Sequence, residues 1–122
     1  MLADQQPAQQ PKGTSMIFIV VKFPTKPQHT DGFLDRAKEF TEATRAEEGN
    51  IFFEWAKSVE DENTFVLTEA FQDGAAGAHV NSDHFKTFVG WAPDVVSATP
   101  SIISVADVPG DGWGEMGEIS PR

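Results

Sequence analysis

The chain has 122 residues, enough for one domain, with 19 acidic against 9 basic side chains and a net charge of -10. That charge repels a phosphate backbone and no basic cluster offsets it, so nucleic acid is not an expected partner. The absence of cysteine rules out disulfides, thiolate metal sites and a cysteine nucleophile, and the longest apolar run, Met16 to Val21, falls far short of the ~20 residues of a membrane helix.

Residues 1–15 (MLADQQPAQQPKGTS) are rich in Gln and Pro and hold little to bury, so a mobile arm is expected. They lack the basic and apolar regions of a signal peptide, which makes the cytoplasm the default location. Met16 to Phe23 reads as a first strand, β-branched and apolar on both faces, until Pro24 and Pro27 break it. A helix is expected from a cap at Thr30 or Asp31 to about Glu48. Its buried stripe is Phe33, Ala37, Phe40 and Thr44, with Gly49 as the C′ residue.

Strands over residues 51–59 and 64–71 should form a hairpin around Glu60 to Asn63. Asp73 is placed to cap a short helical turn through Ala78. Ser82 caps a second piece reaching about Ala92, where Pro93 is expected to end it. The segment SIISVADV after Pro100 reads as a last strand, and Pro109 to Arg122 as an extended tail. The domain therefore spans residues 16–108, between an arm at 1–15 and a tail at 109–122.

The order strand, helix, strand, strand, helix, strand is the α+β, ferredoxin-like βαββαβ arrangement, an antiparallel sheet with both helices on one face. The bare face of such a sheet normally meets water and is polar. Here Phe18, Val20, Phe52, Phe53, Trp55, Val66 and Leu67 put apolar bulk on both sides. Two helices cover only one face. A second copy of the chain is the simplest cover for the other, so a homodimer with sheets packed face to face, a dimeric α+β barrel, is predicted.

In the strand TFVLTEAF, residues Phe65, Leu67, Glu69 and Phe71 share a face. A carboxylate in such a row finds a partner or shifts its pKa. Lys57, Arg36, Lys38 and backbone amides at a helix start are the candidate partners. A four-residue hairpin loop would set Glu54 opposite Glu69, whereas a three- or five-residue loop would put Trp55 on the face of Glu69. The spacing leaves both open. His84, Phe88 and Trp91 fall at i, i+4 and i+7, a stripe that serves either as plain core or as a pocket wall. His29 lies in a Pro-flanked loop and is expected to be exposed. His79 and His84, five residues apart without a firm third ligand, make a poor metal site.

The order of elements and the string EEGNIFFEW…FVLTEAFQDGAAGAHVNSDHFK resemble the antibiotic biosynthesis monooxygenase (ABM) domain of the dimeric α+β barrel superfamily. The resemblance runs from about Met16 to Val108. Its most specific part is Glu69-x-Phe71, then Ala78-His79, then Ser82-x-His84-Phe85. It implies a small dimer with a pocket between sheet and helices in each subunit. Such enzymes oxidise quinols or polyphenolic aromatics with dioxygen and need no flavin, haem or metal. A haem-degrading branch uses an Asn on the first strand and a Trp near the end of the third. Here Ile17 to Phe23 contains no Asn, and Phe71 stands where that Trp would be.

Cofactor-free oxidation requires removing a phenolic proton, which calls for a base near neutral pKa in an apolar slot that excludes water. The resemblance thus assigns His79 as proton acceptor, since imidazole titrates near ~6.5. Glu69 becomes its partner or an alternative base, and Phe53, Trp55, Phe71, His84, Phe88 and Trp91 become the substrate wall. An interior with 10 Phe and 3 Trp but no Tyr offers ring faces without an oxidisable phenol. The expected function is a cofactor-independent monooxygenase acting on a quinol or hydroxylated aromatic. A non-catalytic small-ligand or stress-response module on the same scaffold is the alternative, and an isomerase or haem-handling enzyme a third reading.

Overall fold

A computed structural model describes residues 14–122. The expected arm over residues 1–15 lies outside them, apart from Thr14 and Ser15. Four strands, β1 (Ser15–Pro24), β2 (Asn50–Lys57), β3 (Thr64–Gln72) and β4 (Ser101–Pro109), form one antiparallel sheet in the order β2-β3-β1-β4. Between β1 and β2 run three short helices, α1 (Pro27–Thr30), α2 (Phe33–Arg36) and α3 (Lys38–Arg45). Between β3 and β4 run α4 (Ala76–Val80) and α5 (Asp83–Val95). This is the expected α+β, ferredoxin-like topology. The sheet of the single chain is open and closes no barrel.

The expected single helix from residue 30 to 48 is broken. Pro27 occupies the first turn of α1, where its missing N–H costs nothing, so the helix starts early. Gly32 and Ala37 then interrupt the run, and α3 stops at Arg45. Thr30 caps nothing. Its hydroxyl bonds the Lys26 carbonyl, the Thr25 hydroxyl and Asn63 Oδ1, tying the first connection to the hairpin. The buried stripe survives these breaks, with Phe33, Ala37, Phe40 and Thr44 all in the core.

Gly49 is not in the left-handed region. Its role is close approach, because a Cβ there would lie 2.2 Å from the Ala75 Cβ. The Gly49 carbonyl accepts from Gln72 N at 2.8 Å on the same seam. Asp73 does not cap α4 but accepts from the Ser15 hydroxyl. Pro93 does not end α5, which continues to Val95. A proline in the last turn forfeits a single backbone bond, and Val96 N still reaches the Ala92 carbonyl at 3.1 Å.

The hairpin pairs Phe53 with Glu69, Trp55 with Leu67 and Lys57 with Phe65, and Ser58 N bonds the Thr64 carbonyl. The loop is therefore residues 59–63, closed by Asn63 in the left-handed region at φ 66. Glu54 pairs with Thr68 and faces away from Glu69. On the helix face of the sheet, Val21, Phe23, Phe53, Phe65 and Leu67 pack against Phe33, Phe40, Phe88 and Val95. Phe33 stacks on Phe65 at 4.9 Å and Phe40 on Phe88 at 4.1 Å. Each buried ring of this kind stabilises the fold by ~1.5–3 kcal/mol.

The other face carries Phe18, Val20, Phe52 and Val66, all partly exposed. The tail expected to be extended turns back over it, setting Trp113 5.1 Å from Phe52. Strand β4 has one neighbour, and Ile102 and Ile103 remain 63% and 67% exposed. Among the described residues, no helix is long and apolar enough to cross a membrane.

Candidate active site

The β3 register turns Glu69 toward the helices, where the residue is 6% exposed. The pairing Ile19–Glu69–Phe53 across three strands surrounds it with apolar neighbours. One of its oxygens, Oε1, is buried with no hydrogen-bond partner. Burial, and secondarily the charge of Glu47, push its pKa from 4.5 to about 7. Near neutral pH this carboxyl therefore exchanges its proton readily, as a general base must.

His79 lies on α4 and is 5% exposed. Its Nε2 faces Glu69 Oε1 at 4.0 Å, too far for a direct hydrogen bond. Its Nδ1 donates to Glu47 Oε2 at 2.8 Å, and the same oxygen accepts from His84 Nε2 at 2.5 Å. Glu47 thus holds both imidazoles. It sits in the turn between α3 and β2, with its N–H bonded to the Thr44 carbonyl and its carbonyl to Asn50 N.

Ser82 locks the two histidines together from the backbone side. Its hydroxyl donates to the His79 carbonyl at 2.6 Å, and its oxygen caps α5 by accepting from Phe85 N at 3.2 Å. The break at Asn81-Ser82 therefore fixes where α4 ends and α5 begins. The pKa shift of Glu69, the unpartnered oxygen and the oriented imidazole meet at one place.

That place is a cavity of about 230 Å³ lined by both Glu69 and His79. Its remaining wall is apolar, from Ile19, Val21 and Leu67 of the sheet and Phe40, Phe85 and Phe88 of the helix layer. The volume is below the ~300–1,000 Å³ of drug-sized pockets, which suits a compound of one or two rings. A hydroxyl oxygen about 2.8 Å from both His79 Nε2 and Glu69 Oε1 fits the 4.0 Å gap between them.

The sequence-derived site residues separate into four groups. Glu69, His79 and Phe88 line the cavity. Phe53 and Phe71 are fully buried behind it, with Phe71 packed 4.8 Å from the His79 ring. Trp55 packs on Phe23 and Phe33 and donates its indole N–H to the Thr41 hydroxyl. His84 and Trp91 instead line a second groove on the outer helix surface, where Arg36 lies 4.6 Å over the Trp91 ring.

None of the expected basic partners pairs with Glu69. The residue that sequence reasoning missed is Glu47, although it continues the stripe Phe33, Ala37, Phe40, Thr44 by one further step of three. That spacing is the one signal in the sequence that points Glu47 toward the core side of the segment.

Comparison with known proteins agrees with this architecture. The sequence profile described as antibiotic biosynthesis monooxygenase matches residues 16–91. The Bacillus subtilis (strain 168) protein named "Putative monooxygenase YcnE" is 34% identical over 89 residues, covering 72% of this chain and 94% of that protein. A conserved protein from Methanosarcina mazei Go1 superposes with a TM-score of 0.71 at 24% identity, covering 76% of this chain and 93% of that one. Rv0793 from Mycobacterium tuberculosis superposes with a TM-score of 0.69 at 18% identity, covering 77% and 96%. With the matched segment running from β1 into α5 and holding Glu47, Glu69, His79 and His84, the chain belongs to the antibiotic biosynthesis monooxygenase family.

Proposed function

We propose that the protein is a cofactor-independent monooxygenase that oxidises a quinol or another hydroxylated aromatic with dioxygen. Family membership and the monooxygenase name of the Bacillus relative support the reaction class. The observation that carries the reading is the unpartnered Glu69 oxygen facing His79 inside an apolar, ring-lined cavity.

In this reading the substrate hydroxyl sits between Glu69 Oε1 and His79 Nε2, and the pair takes up its proton. The resulting anion passes one electron to dioxygen. The radical pair then joins at a free ring carbon, and the proton returns to the peroxide oxygen. Loss of water, with the hydrogen of that carbon, leaves a quinone. Phenol and dioxygen thus give quinone and water, with all electrons supplied by the ring. The apolar wall keeps water from the anion and holds the ring against the base.

The reading includes a homodimer. Ile103 and Val105 on β4 share the bare face with Phe18 and Val20, an apolar surface that one chain leaves uncovered. Sedimentation should show a dimer at micromolar concentration, and a lone, well-folded subunit would overturn that part.

The enzymatic claim is tested by oxygen uptake with menadiol or a polyphenol under air. The wild type should exceed the spontaneous rate, and Glu69→Gln and His79→Ala should not. Equal rates for all three proteins refute catalysis. Ligand binding without oxygen uptake would establish the non-catalytic alternative instead.

A further inference from the structure

Glu47, His79 and His84 make an arrangement that proton transfer does not by itself require. Three ligand-type atoms, one carboxylate oxygen and two imidazole nitrogens, lie within 4.8 Å of one another. They come from three segments, the α3–β2 turn, α4 and α5. All three residues are at least partly buried. Among the described residues, no lysine or arginine pairs with Glu47, whose side-chain partners are the two histidines.

We propose that Glu47 Oε2, His79 Nδ1 and His84 Nε2 form a binding site for one divalent first-row transition-metal ion, with Zn2+ as its natural probe. Two imidazoles and one carboxylate suit such an ion, whereas Ca2+ and Mg2+ favour all-oxygen sets. A tetrahedral ion with ~2.0–2.2 Å bonds spaces its ligands roughly 3.3–3.5 Å apart. The observed 2.8 and 2.5 Å separations require the Glu47 carboxylate to withdraw by about 1 Å, and the two imidazole nitrogens, within 4.8 Å of each other, to settle at the same spacing. Three protein ligands leave a position open. The adjoining groove, lined by Glu47, Glu48, Asp73 and Ser82, gives a cation an acidic route to it.

A second observation points the same way. An imidazole bound to a metal through Nδ1 carries its hydrogen on Nε2 and donates it to a neighbouring carboxylate or carbonyl. His79 Nε2 already faces Glu69 Oε1, a buried oxygen with no other partner. The order carboxylate, imidazole, ligand cluster is thus in place, with the 4.0 Å between Glu69 and His79 closing by about 1 Å when the hydrogen bond forms. Glu47 and His84 do not line the apolar cavity, so the ion sits beyond His79 from the substrate. If the proposed oxidation holds, the ion takes no part in the electron transfer and only holds the His79 ring in place, with Glu69 still free to accept the proton.

The test uses the full-length protein stripped with EDTA, then titrated with Zn2+ by calorimetry and with Co2+ by visible absorption. The wild type should take up one ion per chain, with Co2+ giving the intense bands of a low-symmetry site and Zn2+ displacing it. Glu47→Gln and His84→Ala should lose the one-equivalent step, and His29→Ala should keep it. Far-UV circular dichroism confirms that the variants are folded. Absence of saturable uptake by the wild type overturns the site whether or not any variant folds. So does undiminished uptake by folded Glu47→Gln and His84→Ala. Neither result bears on oxygen uptake, so the metal site and the oxidation stand or fall separately.

Discussion

Replacing Glu69 by Gln should stabilise the protein, and only at the higher pH. The residue is 6% exposed, and its pKa is pushed from 4.5 to about 7 by burial and by the nearby Glu47 charge. A group whose folded pKa lies above its unfolded value favours the folded state at low pH, where both states hold the proton. That advantage is lost as pH rises through the folded pKa, since folding must then bury a charge. The shift from 4.5 to about 7 corresponds to about 3.5 kcal/mol when fully expressed, at ~1.4 kcal/mol per pH unit. Linkage places about 2.5 kcal/mol of it between pH 5 and pH 8. Gln has nearly the same shape, and any cost of its amide applies equally at both pH values. Urea unfolding of wild type and Glu69→Gln, with EDTA present and at one protein concentration, should therefore show the variant gaining about 2.5 kcal/mol relative to wild type from pH 5 to pH 8. Parallel pH profiles would refute the assignment of a buried, unpartnered carboxylate.

Oxygen uptake by the wild type should rise with pH through about 7, the value to which Glu69 is pushed, because the acceptor must be unprotonated. Glu69→Gln should lose ~10²–10⁴-fold in rate, measured with an oxygen electrode. Gly49→Ala should cost ~1–3 kcal/mol, because the added methyl would lie 2.2 Å from the Ala75 Cβ. The double variant Gly49→Ala/Ala75→Gly should recover most of that loss in thermal unfolding. Ser82→Ala should lower stability by ~1 kcal/mol through the lost α5 cap and broaden the ring resonances of both His79 and His84 in NMR spectra.

The fold was legible because burial leaves its period in the sequence. Phe33, Ala37, Phe40 and Thr44 on the helices, and Phe65, Leu67, Glu69 and Phe71 on β3, are all inside. Helix continuity was not legible, since Gly32 and Ala37 break the run while keeping the stripe in phase. Hairpin register depends on the left-handed Asn63 and a loop at residues 59–63, which spacing alone leaves open by one residue. That single step decides whether Glu54 or Phe53 opposes Glu69. Glu69 and His79 could be named in advance and do meet. Phe53, Phe71 and Trp55 could not be told apart from cavity-lining rings, because core and wall share the same periodicity. Glu47 went unseen because a Glu-Glu pair before Gly reads as a solvated helix end. Its importance arises only once α4 and α5 are folded over it.

Strand β4 contributes Ile102 to the cavity and is the last element of the sheet to be synthesised. A chain interrupted before Ser101 would leave the outer edge of β1 unpaired and the chamber without one side. Such an incomplete product would hold Glu69, His79 and Glu47 yet leave their cavity open on the side that Ile102 covers. The cavity is therefore completed only with the last strand of the sheet. The same unpaired edge exposes partial chains to strand addition by other chains, and so to aggregation.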